Sequence, residues 1–329
     1  MPAASDFRAL ERRNRRDTVM LIGAFVIVFL LIGCAFDFLA GTLQIHQGHI
    51  YGAPIFMVLA LIFASVQSTV SYFGGAPLIL LSVHAQALTP DTPKHQMVLD
   101  VIQEMALASR LPVPKAYFIP DPAPNAFATG RNPEHSVICV TQGLIDNMDR
   151  EELQGVIGHE MSHIADYDIR TMMMVAVLVG GIAMLSDFMV RMSFFNRNDR
   201  DSDHRDGGII VILMIVLAVI APMLSQLIAM AVSREREYLA DASAVEFTRN
   251  PRALLRALQR IAETESPLKE GVRGTAHLFI VNPLAANADD DGGFFASLLS
   301  THPPLRKRIE RLQAMLAAPT AAASLSDRA

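Results

Sequence analysis

The sequence predicts a mainly α membrane protein with a small β element, in which two hydrophobic helical hairpins are attached to a polar part. Three observations predict this. Four apolar runs of spanning length divide the chain, helical spacing of apolar residues fills most of the remainder, and two short β-rich segments flank a Pro/Asn/Gly-rich stretch. Hydrophobic residues make up 51% of the 329 residues and charged residues 19%, with a net charge of −5. A soluble globule needs more polar surface than this. A disordered chain or a nucleic-acid binder needs far more charge, so no nucleic-acid partner is expected. Two cysteines, Cys34 and Cys139, make neither a disulfide framework nor a cysteine-based zinc site, so any metal must rest on His and carboxylate.

Taken in order, residues 1–17 read as a cytoplasmic tail carrying Arg8, Arg12, Arg13, Arg15 and Arg16. Thr18 to Phe36 follows without a charge, and Ala53 to Phe73 holds only Gln67 and a few hydroxyls. Residues 18–73 therefore read as a first transmembrane hairpin. The first run is too long for a signal-peptide core. Leu31-Ile32-Gly33-Cys34 resembles a lipoprotein processing site, which would leave the sidedness unchanged. The 37–52 loop has no Lys or Arg, so the positive-inside rule puts the N-terminus inside, and after two crossings residues 74–171 as well.

Residues 172–232 read as a second hydrophobic hairpin, made of Met172 to Val190 and Ile209 to Val232. It either spans or packs on protein, because Asp187 and Pro222 interrupt it, and its 191–208 loop carries four Arg and four Asp. The polar blocks are 74–171 and 233–329. In the first, Pro93 to Arg110 reads as a helix, and Lys115 to Ile119 and Ser136 to Thr141 read as strands. Asp149 with Glu152 forms a capping box that opens a helix through residue 165, directed toward the third run. In the second block, Asn250-Pro251 and Pro304 each open a helix. The 287–293 loop is acidic but lacks calcium-loop spacing, and the last dozen residues read as a frayed tail. His46 and His49 read as ordinary loop histidines, and the 17 Met as packing and lipid contact.

The chemistry centres on His159-Glu160-Met161-Ser162-His163, an H-E-x-x-H sequence. On a helix its two His lie one turn apart on one face, where both reach a single Zn²⁺ and the intervening Glu reaches a metal-bound water. A catalytic zinc needs a third protein ligand, for which Glu237 is the candidate. Asp241, one turn later, is placed to orient a ligating His. Membrane parity supports the pairing: His159 and His163 precede the third run and Glu237 follows the fourth, so the three return to one side whether or not the runs cross.

With these residues on the page, the chain resembles the HtpX family of bacterial membrane zinc metalloproteases, relatives of the CAAX prenyl endoproteases. The resemblance rests on the arginine-flanked hairpin, Pro124-Asn125-Ala126-Phe127-Ala128-Thr129-Gly130, the H-E-x-x-H sequence, Ser233 to Asp241, and Ser300-Thr301-His302-Pro303-Pro304 followed by Arg308-Ile309. It implies a gluzincin-like fold with one zinc per chain held by His159, His163 and Glu237, and Glu160 as the base. It further implies that Asn125, Ala126, Phe127, Ala128 and Thr129 form the substrate-pairing edge strand, with His302 and Arg308 near the scissile carbonyl. The expected setting is the bacterial inner membrane, multi-pass, with the site facing the cytoplasm. The expected partners are unfolded or misfolded proteins, the bilayer and other membrane quality-control proteases. The alternatives are an inactive scaffold of the same fold, a narrowly specific prenyl-type endoprotease, and a small transporter. The intact Glu160 opposes the scaffold, and apolar first and second runs oppose a transport path.

Overall fold

The computed structural model describes residues 4–39, 41–180, 234–264, 275–281 and 303–317. Asp187, the 191–208 and 283–297 loops, the fourth run and the tail lie outside the described residues.

Helix α1 (Ala4–Leu39) and helix α2 (Ile55–Ser82) form an antiparallel pair. Segments 14–38 and 55–82 are long and apolar enough to cross a membrane, and only 28% and 17% of their windows are buried, so neither is the core helix of a globule. The helices approach so closely at Gly33 that a Cβ there would stand 2.7 Å from the Met57 Cα. The first helix extends well into the arginine-rich segment read as a tail. The second continues nine residues beyond Phe73, through Pro77, because Ile79 and Leu80 bury against Ile119, Phe127 and Val137.

Between them, the 37–52 loop contains a hairpin that the sequence reading did not contain: β1 (Leu43–His46) and β2 (His49–Gly52), turned at Gln47-Gly48 with φ of 51° and 79°. Its strands are too short to show a β-rich run. Asp37 closes the unit. Its buried carboxylate accepts from Phe56 N–H at 3.0 Å, from Met57 N–H at 2.9 Å and from the Thr42 hydroxyl at 2.6 Å, capping the first turn of α2 from the end of α1. Asp37→Ala is expected to cost about 2 kcal/mol, by loss of this cap and of buried hydrogen bonds, read as a lower denaturation midpoint in detergent. An unchanged midpoint would show the cap to be dispensable.

The sheet has the order β3 (Gln86–Ala87), β4 (Lys115–Ile119), β6 (Ser136–Thr141), β5 (Ala126–Gly130), with β4 parallel and β5 antiparallel to β6. Among the described residues no strand lies beyond β5. Helix α3 (Pro93–Ser109) is capped by Thr92, and short α4 (Gln142–Asn147) by Thr141. Helix α5 (Arg150–Ala165) begins at the predicted capping box of Asp149 and Glu152. Its other end falls at residue 165, as read, but the chain does not continue straight into the third run: it breaks at Asp166 and Tyr167, where the Tyr167 φ is +60°, and resumes as α6 over residues 168–180.

Helix α6 is held against both long helices: Thr18 and Thr171 hydroxyls meet at 3.3 Å, and Gln67 donates to the Val177 carbonyl at 3.2 Å. Helix α7 (Arg234–Thr248), α8 (Pro251–Ala262), a 3-10 turn (Ala276–Leu278) and α9 (Leu305–Ala317) complete the described chain. The main core gathers Val98, Ile102, Val140, Leu153, Ile157, Leu254 and Leu258 around α5. Gly155 makes this possible, because a Cβ there would stand 2.5 Å from the Leu254 amide.

His277, in the 3-10 turn, is buried with Nε2 3.3 Å from the Met172 carbonyl, and burial holds its pKa down at about 4 from the ordinary 6.5. The unfolded chain therefore takes up a proton below pH 6.5 that the folded chain refuses until pH 4. Stability is full above that window and falls through it, by roughly 3 kcal/mol at the acid end. His277→Gln is expected to flatten the acid slope measured by denaturation at successive pH values; an unchanged slope would assign it to other groups.

Candidate metal centre

The site is built on one face of α5 opposite one face of α7. Positions 159 and 163 are one turn apart, as are 237 and 241, so two side chains from each helix meet. His159 and His163 Nε2 lie 3.2 Å apart. Glu237 Oε2 is 3.7 Å from His159 Nε2, and Oε1 is 3.5 Å from His163 Nε2. Ligand atoms about 2.0–2.2 Å from a tetrahedral zinc stand about 3.3–3.6 Å from one another, so these spacings match the edges of such a tetrahedron.

The tautomers agree with this. His159 Nδ1 faces Asp241 Oδ1 at 3.0 Å and His163 Nδ1 faces Asp168 Oδ2 at 3.3 Å, so each Nδ1 carries the proton and each Nε2 lone pair points inward. Charge agrees too. The buried carboxylates Glu160, Glu237, Asp166, Asp168 and Asp241 outnumber the two guanidiniums near them, Arg236 and Arg308, so the site favours a bound cation. Burial, with Arg308 nearby, holds the His159 pKa down at about 4. For His163 burial acts downward too, but Asp168 and Glu237 outweigh it and hold the pKa up at about 9. A site that draws a proton onto an imidazole in this way is one that attracts positive charge.

Arg308 is wholly buried, at 1% exposed. Its guanidinium forks onto Asp241, Nε to Oδ2 at 2.9 Å and Nη2 to Oδ1 at 2.6 Å, while Nη1 donates to the Ile280 carbonyl at 2.8 Å and lies 3.5 Å from Glu237 Oε2. The structure thus brings Arg308 to the ligand-bearing carboxylates and to His159. His302 lies outside the described residues.

Glu160 is buried beside the two His, and burial pushes its carboxyl up to about 7 against the pull of the nearby Ala128 N–H on the edge strand. The Thr141 N–H donates to the Asn125 carbonyl at 2.9 Å, so by alternation Asn125, Phe127 and Thr129 face β6 while Ala126 and Ala128 turn their backbone groups outward. The outer edge is partly taken. The Ile280 N–H donates to the Ala126 carbonyl at 2.9 Å, and the Asn125 side chain donates to the Val281 carbonyl at 2.8 Å. Phe127 stacks edge-on to Phe279, with ring centroids 5.0 Å apart. Every residue from Asn125 to Thr129 is buried.

Three contributors had no site role in the sequence reading: Asn14, Asp168 and Arg236, the last read only as part of the Ser233 to Asp241 motif. Asn14 donates to Asp168 Oδ1 at 2.9 Å, and Arg236 Nη1 lies 3.3 Å from the same oxygen. The signal for Asp168 was available, because it follows His163 by five residues. Nothing in the sequence joins Asn14 to it.

The model of peptidase family M48 matches residues 93–316. A protease HtpX homolog of Lactobacillus helveticus is 37% identical over 310 residues, covering 92% of this chain and 98% of that one. The corresponding protein of Dictyoglomus turgidum is 38% identical over 309 residues, covering 94% of each. Among solved structures, Ste24p of S. mikatae aligns with a TM-score of 0.45 at 18% identity, covering 92% of this chain and 66% of that one.

Proposed function

The chain belongs to peptidase family M48, among the HtpX homologues, and from that premise we propose that it is a membrane-bound zinc endopeptidase acting on misfolded membrane proteins at the cytoplasmic face. The observation that carries the reading is one cluster: His159, His163 and Glu237, with ligand atoms all within 4.8 Å of one another, beside the buried Glu160 carboxylate. The mostly exposed apolar faces of α1 and α2 support the membrane setting, and the arginines before α1 with none in the 37–52 loop support the cytoplasmic orientation. Substrate class rests on the family and on that setting.

His159, His163 and Glu237 would hold the zinc, which when bound polarises the scissile carbonyl and acidifies water. Asp241 and Asp168 fix the two imidazoles. Glu160 takes the proton of the attacking water and passes it to the leaving amine, from a buried position beside the two His. The substrate adds as an extended strand beside Ala128, which selects unfolded chains. Because β5 is buried throughout, its covering segments must move aside for substrate to enter. His302 supplies a cation for the oxyanion.

The test uses detergent-purified protein and an unfolded membrane-protein substrate. Cleavage is expected to stop with a zinc chelator and to return with added zinc. Cleavage that persists in chelator with no metal bound would overturn the reading.

A further inference from the structure

The α1 helix reaches the metal centre. Asn14 stands at the start of the 14–38 apolar segment, is 3% exposed, and uses every polar atom of its amide. Its Nδ2 donates to Asp168 Oδ1 at 2.9 Å and to the Asp166 carbonyl, and its Oδ1 accepts from Arg236 Nη1 at 3.3 Å. Each partner belongs to the frame of a ligand. Asp168 Oδ2 is 3.3 Å from His163 Nδ1, the Asp166 carbonyl sits in the break that ends the H-E-x-x-H helix, and Arg236 precedes Glu237 in the chain.

We infer that Asn14 is a positioning residue for the metal centre, so that the first apolar helix is a structural part of the zinc site as well as an anchor. The physical reason is the geometry of Asp168. A carboxylate sharing one oxygen with His163 stays aimed only if the other oxygen is fixed, and here Asn14 and Arg236 fix it. Asn14 is neutral, so it adds no charge to the site and acts through orientation. The same amide holds the Asp166 carbonyl, which sets how far α5 runs before the chain turns. Thr18, one turn further along α1, donates to the Asn14 backbone carbonyl at 2.8 Å and meets Thr171 at 3.3 Å, but touches neither aspartate. It therefore reports the packing of this part of α1 without the Asn14 amide.

The inference rests on the zinc reading of the His159, His163 and Glu237 cluster, and the experiment separates the two. Full-length wild type, Asn14→Leu and Thr18→Val are purified in detergent, and two quantities are read: the rate of zinc release to a colorimetric chelator, and the d–d absorption of the Co²⁺-substituted protein. Wild type without stoichiometric zinc or tetrahedral cobalt bands would overturn the zinc reading itself. With those present, Asn14→Leu is expected to release zinc about 10- to 100-fold faster and to shift the cobalt bands, with Thr18→Val within about twofold of wild type and spectrally unchanged. Equal effects of the two variants, or none from either, would overturn the role of Asn14. Should Asn14→Leu fail to fold, Asn14→Ser, which also removes the amide, is judged against Thr18→Val by the same two criteria.

Discussion

A Glu160→Gln enzyme is expected to keep one zinc per chain and to lose cleavage by about 10²–10⁴-fold, the usual worth of a positioned general base. The two results separate because Glu160 contributes no ligand atom to the His159, His163 and Glu237 cluster. The amide is nearly the shape of the carboxylate and fills the same buried space. Burial makes charge at this position costly, so the neutral side chain is not expected to lower the melting temperature. His159→Ala is the contrasting case, losing metal and cleavage together. Turnover assays with metal quantified in each preparation check both. Wild-type activity in Glu160→Gln would remove the general base from the mechanism, and loss of its zinc would make the residue structural.

Arg308→Met is expected to be the most destabilising single change at the site, by about 3–5 kcal/mol. It leaves the Asp241 carboxylate buried without its guanidinium. Arg308 holds Asp241 well below the usual carboxylate range despite burial. The loss propagates to His159, which Asp241 orients, so zinc affinity is expected to fall with stability. Arg308→Met combined with Asp241→Asn makes the test sharper. If the cost is the stranded charge, the double variant recovers part of the stability, and the coupling appears as non-additivity. Additive losses would assign the effect to packing of the long side chain instead.

Local patterns made much of this legible. The capping box at Asp149 and Glu152, the helix from Pro93, and the strands Lys115–Ile119 and Ser136–Thr141 each follow from a few neighbouring residues, and each is in place. The pairing of α5 with α7 was legible because each carries two polar residues one turn apart on a single face. The break at Tyr167 was not. Its positive φ has no glycine to announce it, and the apolar run beyond it suggested an uninterrupted helix. The hairpin of 43–52 escaped because four-residue strands carry too little periodicity. Asn14 escaped for a different reason. Its role depends on a contact with residues 152 and 154 positions away, which no local pattern encodes.

That separation also bears on how the enzyme comes into being. The Asn14 bonds to Asp166 and Asp168 and the approach of Arg308 to His159, 149 residues apart, each close a very long loop of chain. Contacts of that kind carry the entropy of loop closure and form late in folding, after local helices and turns are in place. The α5 helix can therefore exist, with both its histidines, before anything aims them. Proteolytic competence is therefore expected as a last event of maturation, when distant parts of the polypeptide have converged.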